Sequence, residues 1–229
     1  MIEPSPLPWD IISDAIGTPG SLPRAVVVLG GPCSGKSTVR ERVRGLHTSG
    51  YVLVDSDAEK LTMHREDGES SEAFHVRSRD ASRVVMVNAM RARQNIYIEG
   101  LSCDHRKSAI VLAALVEAGY YITIVGLTCD PDVAASRHLS RRDGREIPMR
   151  IFEEAYAWDD RDWNSLAYYS HEFWLFDSSE NAWKFVRQQT IRMNPPSLIA
   201  TATAACLQRP DRAEEYRKLC RTLAEVPCE

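Results

Sequence analysis

The chain has 229 residues, enough for one α/β domain with a substantial core and short additions. Apolar residues make up 44% and charged residues 26%, both ordinary for a soluble globular protein. The net charge of −4 argues against a long polyanion as the main substrate, because nucleic-acid affinity leans on neutralising phosphates. No apolar run approaches the 18 residues of a membrane span. Six cysteines form no C-x-x-C pair, which removes the zinc and dithiol redox signatures. Met1-Ile2-Glu3-Pro4 lacks the basic start and apolar core of a secretory signal. The expectation is a cytoplasmic protein with free thiols.

Residues 1–24 are proline-rich and read as an N-terminal extension, with a short helix from Trp9 to Ile16. Five apolar runs follow and read as buried parallel strands alternating with helices: Ala25–Leu29, Tyr51–Val54, Asn95–Ile98, Tyr120–Leu127 and Glu172–Phe176. The β-branched and aromatic run Tyr120-Tyr121-Ile122-Thr123-Ile124-Val125 carries the strongest strand signal. Helical spacing is expected over Phe74–Arg93 and over Arg106–Ala118, the latter closed by Gly119 as its C′ residue. Pro148 fits the first turn of a helix reaching about Tyr168. Asn194-Pro195-Pro196-Ser197 breaks the chain before two further helices, Leu198–Leu207 and one with Tyr216, Leu219, Cys220 and Leu223 on a single face. The predicted fold is a three-layer α/β sandwich around a five-stranded parallel sheet. Its expected parts are an extension (1–24), a main domain (25–193) and a C-terminal helical addition (194–229) packed on that domain.

The first strand runs directly into Gly30-Gly31-Pro32-Cys33-Ser34-Gly35-Lys36-Ser37, followed by Thr38. This is the G-x-x-x-x-G-K-[ST] phosphate loop in its strand–loop–helix setting. Its glycines let backbone N–H groups wrap an anion at a helix start. Lys36 is expected to reach the β/γ-phosphates of ATP and the Ser37 hydroxyl to bind Mg²⁺.

Two further strand ends supply carboxylates. In an open α/β sheet, ligands bind beyond the carboxyl ends of the strands. Strand two ends Val54-Asp55-Ser56-Asp57 and is expected to lie beside the strand that carries the loop. One of these aspartates can hold Mg²⁺ through water and the other can take a proton from a substrate hydroxyl. Asp57, farther from the strand, is the better candidate for the base; it also stands with Ser37 as a candidate metal contact. The alternative for either is to cap the next helix. Strand three ends Ile98-Glu99-Gly100, so Glu99 and Asp55 are candidates for the substrate side of the cleft. Residues 130–150 carry Arg137, Arg141, Arg142, Arg145 and Arg150. Arginine binds phosphate bidentately and stays charged, which suits a lid over a transferring phosphoryl group; Arg137, Arg141 and Arg145 are the catalytic candidates.

The Gly30–Thr38 loop, the Val54–Asp57 strand end, Ile98-Glu99-Gly100 and the arginine-rich segment together resemble the zeta-toxin family of P-loop kinases, within the polynucleotide-kinase-like group. The resemblance spans about residues 25–190. It implies an ATP- and Mg²⁺-dependent kinase that phosphorylates a hydroxyl of UDP-N-acetylglucosamine, with Asp57 as base and lid arginines on the phosphates. It also implies a protein antitoxin as partner. Two positions depart from the family. Glu99-Gly100-Leu101 replaces the common Glu-Gly-Thr, and Arg83 lies near the mid-helix acidic residue that contacts the sugar, which makes Arg83 a substrate-binding candidate. The Cys129-Asp130…Arg137…Arg141 stretch is similar to chloramphenicol phosphotransferases. A polynucleotide 5′-hydroxyl kinase, an antibiotic phosphotransferase and a non-catalytic nucleotide-binding module are the alternatives.

Overall fold

In the chain's computed structural model the described residues are 22–42, 50–100, 104–140, 152–153, 155–156, 160–180, 183–190 and 194–226. The Trp9–Ile16 helix and the start of the helix expected from Pro148 lie outside them. All five predicted strands form: β1 (Arg24–Gly30), β2 (Val52–Val54), β3 (Ile96–Glu99), β4 (Tyr121–Thr128) and β5 (Glu172–Asp177). They run parallel, in the spatial order β2-β3-β1-β4-β5. A sixth strand, β6 (Lys184–Thr190), corrects the five-strand prediction; it pairs antiparallel with β5 at the sheet edge. Its sequence, Lys-Phe-Val-Arg-Gln-Gln-Thr, is almost wholly exposed. An edge strand with no buried face carries no alternating apolar signal, and its charges suit an unpaired edge.

Eight α-helices lie among the described residues: α1 (Lys36–Arg42), α2 (Ser56–Thr62), α3 (Ser71–Arg91), α4 (His105–Glu117), α5 (Pro131–Ser140), α6 (Asp160–Ala167), α7 (Leu198–Gln208) and α8 (Ala213–Ala224). Several starts are capped by side chains that satisfy the otherwise unpaired first-turn N–H groups. Asp55 caps α2, Ser70 caps α3, Asp104 caps α4 and Ser197 caps α7. Gly119 follows α4 with a φ of 70°, as expected of a C′ glycine.

The pleat of β1 divides the core. Ala25, Val27 and Leu29 face one side, packed with Met86 and Met90 of α3, Ile110, Leu112 and Leu115 of α4, and Trp163 and Leu166 of α6. Val26 and Val28 face the other, packed with Val39 of α1, Tyr97, Val125, Trp174 and Phe176. Helix α4 has seven buried residues and is wrapped on its outer side by α7 and α8. Each fully buried leucine or isoleucine there stabilises the fold by roughly 1.5–3 kcal/mol relative to exposure. The effect on function is positional: the phosphate loop, Asp55 and Glu99 all emerge at the carboxyl edge of adjacent strands. No helix among the described residues is long and apolar enough to cross a membrane.

Candidate active site

The loop after β1 is shaped by close approach. A Cβ on Gly30 would lie 2.6 Å from Ser34 Oγ and 2.8 Å from the Leu127 carbonyl oxygen of neighbouring β4. Gly35 adopts a φ of +91°, and a Cβ there would meet the Trp183 ring at 2.6 Å. Only glycine meets both demands without strain. Cys33, with a φ of 61°, takes the left-handed conformation that turns the loop without being glycine. Pro32 is buried, and its carbonyl accepts a hydrogen bond from the Tyr156 hydroxyl. Thr38 N–H donates to the Gly35 carbonyl at 2.9 Å as α1 begins.

Two features of this loop fit a bound polyphosphate. Ser34 Oγ is buried and has no hydrogen-bond partner, a state that costs about 1–3 kcal/mol unless something else supplies one. The Gly30 position is a cradle that any side chain would fill. Lys36 folds its ammonium across the loop, donating to the carbonyls of Gly30 at 2.9 Å and Gly31 at 2.8 Å. Ser37 stands beside it in the first turn of α1. Among the described residues no group of three or more His, Cys, Asp or Glu side chains is arranged to hold a metal ion. Mg²⁺ held by Ser37 together with phosphates and water needs no such group.

A charged cluster lies next to the loop. Asp55, buried at the end of β2, accepts the Asp57 N–H through Oδ1 at 2.9 Å and Arg40 Nη1 through Oδ2 at 3.1 Å. Both its oxygens are therefore engaged inside the protein. Arg40 also brings Nε to 3.8 Å from Glu99 Oε1. It was not singled out in the sequence, although the signal was present: it follows Lys36 by four residues and shares its helix face. Glu99 is buried at the end of β3, and its Oε1 makes no hydrogen bond. Burial holds its carboxyl above the usual range, and the Asp55 charge adds to this, against the opposing pull of Arg40 and Lys36. Below it the Tyr97 hydroxyl is pushed well up by burial and by the Glu99 carboxylate.

Asp57 differs from its neighbours. It lies in the first turn of α2, its side chain is 39% exposed, and Lys60 Nζ donates to its Oδ1 at 2.8 Å. It is thus accessible to a second molecule where Asp55 is not.

Arg137, on α5, reaches the loop but is spent on main-chain and sulfur acceptors: Cys33 O at 3.4 Å, Cys129 Sγ at 3.4 Å, Ser178 O at 2.7 Å and Ser179 O at 3.5 Å. Arg141 and Arg145 lie outside the described residues. Arg83 pairs with Asp80 at 2.7 Å, and Asp80 in turn takes Lys218 of α8 at 3.0 Å. Arg83 therefore lies at the α3–α8 contact. One turn earlier, Arg79 acts with Lys60, Asp57 and Lys107 on the His75 ring.

The family model for zeta toxin matches residues 12–162. The chain belongs to the zeta-toxin family. That membership makes it a P-loop phosphotransferase in fold and family. Among solved structures it is similar to one from the PezAT toxin–antitoxin system of Streptococcus pneumoniae, at 16% identity and a TM-score of 0.57, covering 95% of this chain and 93% of that one. It is also similar to the native AvrRxo1-ORF1:ORF2 complex, at 14% identity and a TM-score of 0.60, over 95% and 80% of the two chains. A structure of the AvrRxo1 complex with ATP matches at 13% identity and a TM-score of 0.58, over 94% and 84%. These likenesses establish the fold. No curated protein sequence matches at a significant level.

Proposed function

We propose that the zeta-toxin-family chain transfers the γ-phosphoryl group of ATP to a hydroxyl of a small molecule, with a nucleotide sugar such as UDP-N-acetylglucosamine as the expected acceptor. The carrying observation is the accessible Asp57 carboxylate at the same sheet edge as a glycine-cradled phosphate loop, with Asp55 and Glu99 withdrawn into the Arg40 cluster; β3 separates the Asp55–Asp57 strand end from the loop strand, where direct adjacency was expected. Asp57 takes the proton of the attacking hydroxyl. Asp55 caps α2 through the Asp57 N–H and so orients that first turn. Lys36 turns from the Gly30 and Gly31 carbonyls to the β/γ-phosphates. Ser34 Oγ and the loop N–H groups bind the phosphate oxygens, and Ser37 holds Mg²⁺. When bound, Mg²⁺ supplies charge neutralisation for the transferring group. Glu99, buried beside Arg40, is proposed to help hold the Arg40 cluster at the substrate side of the cleft. Arg141 and Arg145 remain proposed phosphate contacts, and Arg137 a proposed anchor of the loop.

Asp57→Asn is expected to lower transfer by about 10²–10⁴-fold, the usual contribution of a positioned base, while ATP binding persists. Transfer of labelled phosphate to UDP-sugars, an oligonucleotide 5′-end and chloramphenicol, run in parallel, ranks the acceptors. Unchanged turnover in Asp57→Asn would remove the base from this account. Tight ATP binding with no transfer to any acceptor would favour the non-catalytic nucleotide-binding module. The structural neighbours come from two-component assemblies, which supports a protein antitoxin as partner.

A further inference from the structure

Strand order places β3 between β1 and β2, so β2 is not a neighbour of the strand that leads into the phosphate loop and α1. In register, Val54 of β2 lies opposite Ile98, and Val28 of β1 opposite Glu99. Asp55 and Glu99 therefore end neighbouring strands at the same height, with the loop strand on the far side of Glu99. Arg40 crosses that gap from α1. Its Nη1 lies 3.1 Å from Asp55 Oδ2 and its Nε 3.8 Å from Glu99 Oε1. The other Asp55 oxygen accepts the Asp57 N–H at 2.9 Å. The Asp55 carboxylate is thus held on both sides, by a guanidinium on one oxygen and by the Asp57 backbone on the other.

Neutralising two carboxylates takes only a cation between them, and a lysine ammonium could supply it. The guanidinium adds direction, because separate nitrogens face separate carboxylates. Direction matters at this place. An aspartate carboxylate turns readily about its terminal bond unless its oxygens are fixed. Helix α2 has seven residues and none of them is buried, so its first turn is set by the Asp55 cap and not by the core. We propose that Arg40 is a positioning residue for phosphoryl transfer: it clamps Asp55, and Asp55, through the Asp57 N–H, sets where the base stands. This rests on the kinase reading above. Arg40 itself touches neither ATP nor acceptor. It follows Lys36 by one turn on the same helix, so the element that takes the nucleotide phosphates also aims the base. The scale of the effect follows from geometry, since a displacement of about 1 Å at a reacting group can cost about 10²-fold in rate.

The test follows labelled phosphate from ATP to UDP-N-acetylglucosamine in the full chain and in Arg40→Gln, Arg40→Lys, Asp55→Asn and the double variant Arg40→Gln/Asp55→Asn. Arg40→Lys keeps the charge, and so keeps a folded protein if Arg40→Gln is too unstable to assay. The expected result is a kcat lower by about 10–100-fold in Arg40→Gln and about tenfold in Arg40→Lys, with KM for ATP unchanged. The double variant should be no slower than the slower single variant, because Arg40 works through Asp55. Exchange of the Asp57 amide proton with solvent, followed by NMR, should quicken about tenfold or more in Arg40→Gln as its bond to Asp55 loosens. Full turnover in Arg40→Lys, with the loss in Arg40→Gln matching its unfolded fraction, is the behaviour of a structural ion pair and overturns the proposal. So do costs that multiply in the double variant, or an Asp57 amide that exchanges alike in parent and Arg40→Gln. The two readings fail separately. If the Asp57 amide answers to Arg40 but the parent transfers no phosphate, the proposed function falls and the hold on Asp57 stands. If the parent transfers phosphate and both Arg40 variants match it, the positioning role alone falls.

Discussion

At the scale of single residues, the site is built from atoms with no room to spare. Gly30→Ala would drive a methyl group into Ser34 Oγ and the Leu127 carbonyl. The expected cost is about 1–3 kcal/mol in urea denaturation, as for other overpacked positions, with nucleotide affinity lost as the loop shifts. A variant as stable and as tight-binding as the parent would mean that the loop has room for a side chain at position 30. Arg40→Gln removes the cation between Asp55 and Glu99. It should destabilise the fold by about 1–3 kcal/mol, because two largely buried carboxylates lose their partner. Equal denaturation midpoints in parent and variant would count against that role. The phosphate loop was legible from its letters because its chemistry is local. Arg40 was not, because its importance comes from two strand ends distant in sequence. Asp55 and Asp57 show the same limit: their letters are equal, and only burial separates the capping residue from the accessible one.

Among the elements, α2, α3 and α4 converge on His75 and give the site a pH signature. The ordinary histidine value of 6.5 applies to the unfolded chain, and the folded value is about 4. The native state therefore favours the neutral ring. Its contribution is intact above pH 6.5 and is lost progressively as pH falls from 6.5 towards 4, where the unfolded chain binds the extra proton. His75→Gln should flatten the stability curve over that window. Coincident curves for the two proteins, followed by chemical denaturation at each pH, would show that the ring is not held neutral. The helices themselves were readable: α8 from its apolar face, α3 from helical spacing, α4 from the Gly119 that closes it, and α7 from its small-residue run after Asn194-Pro195-Pro196-Ser197. The edge strand β6 was not, because pairing with β5 supplies what its polar sequence lacks.

For the whole molecule, the C-terminal addition is part of the core. Tyr216, Leu219 and Leu223 of α8 are buried against α4 and α7, and the Tyr216 hydroxyl donates to Asp104 at 2.8 Å, the residue that caps α4. Leu219→Ala should cost about 2–5 kcal/mol, the usual range for a buried leucine, measured by thermal or urea unfolding. A loss below about 0.5 kcal/mol would mean that α8 is a surface appendage. The sequence placed the apolar face of this helix correctly but did not show that it would cover α4, or that its first turn would bring Glu215 to Lys107 and Arg79.

Arg137 has a consequence of a different kind. One guanidinium ties α5 to the Cys33 carbonyl of the phosphate loop, to Cys129 just past β4 and to the Ser178–Ser179 turn past β5. Helix α5 and the loop are therefore not independent bodies. Any force that displaces α5 is felt at Cys33, whose backbone is already held at a positive φ. Reciprocity then fixes the rest. If a partner that pins α5 alters nucleotide affinity, nucleotide alters that partner's affinity by the same factor. The two events would read each other through a single side chain.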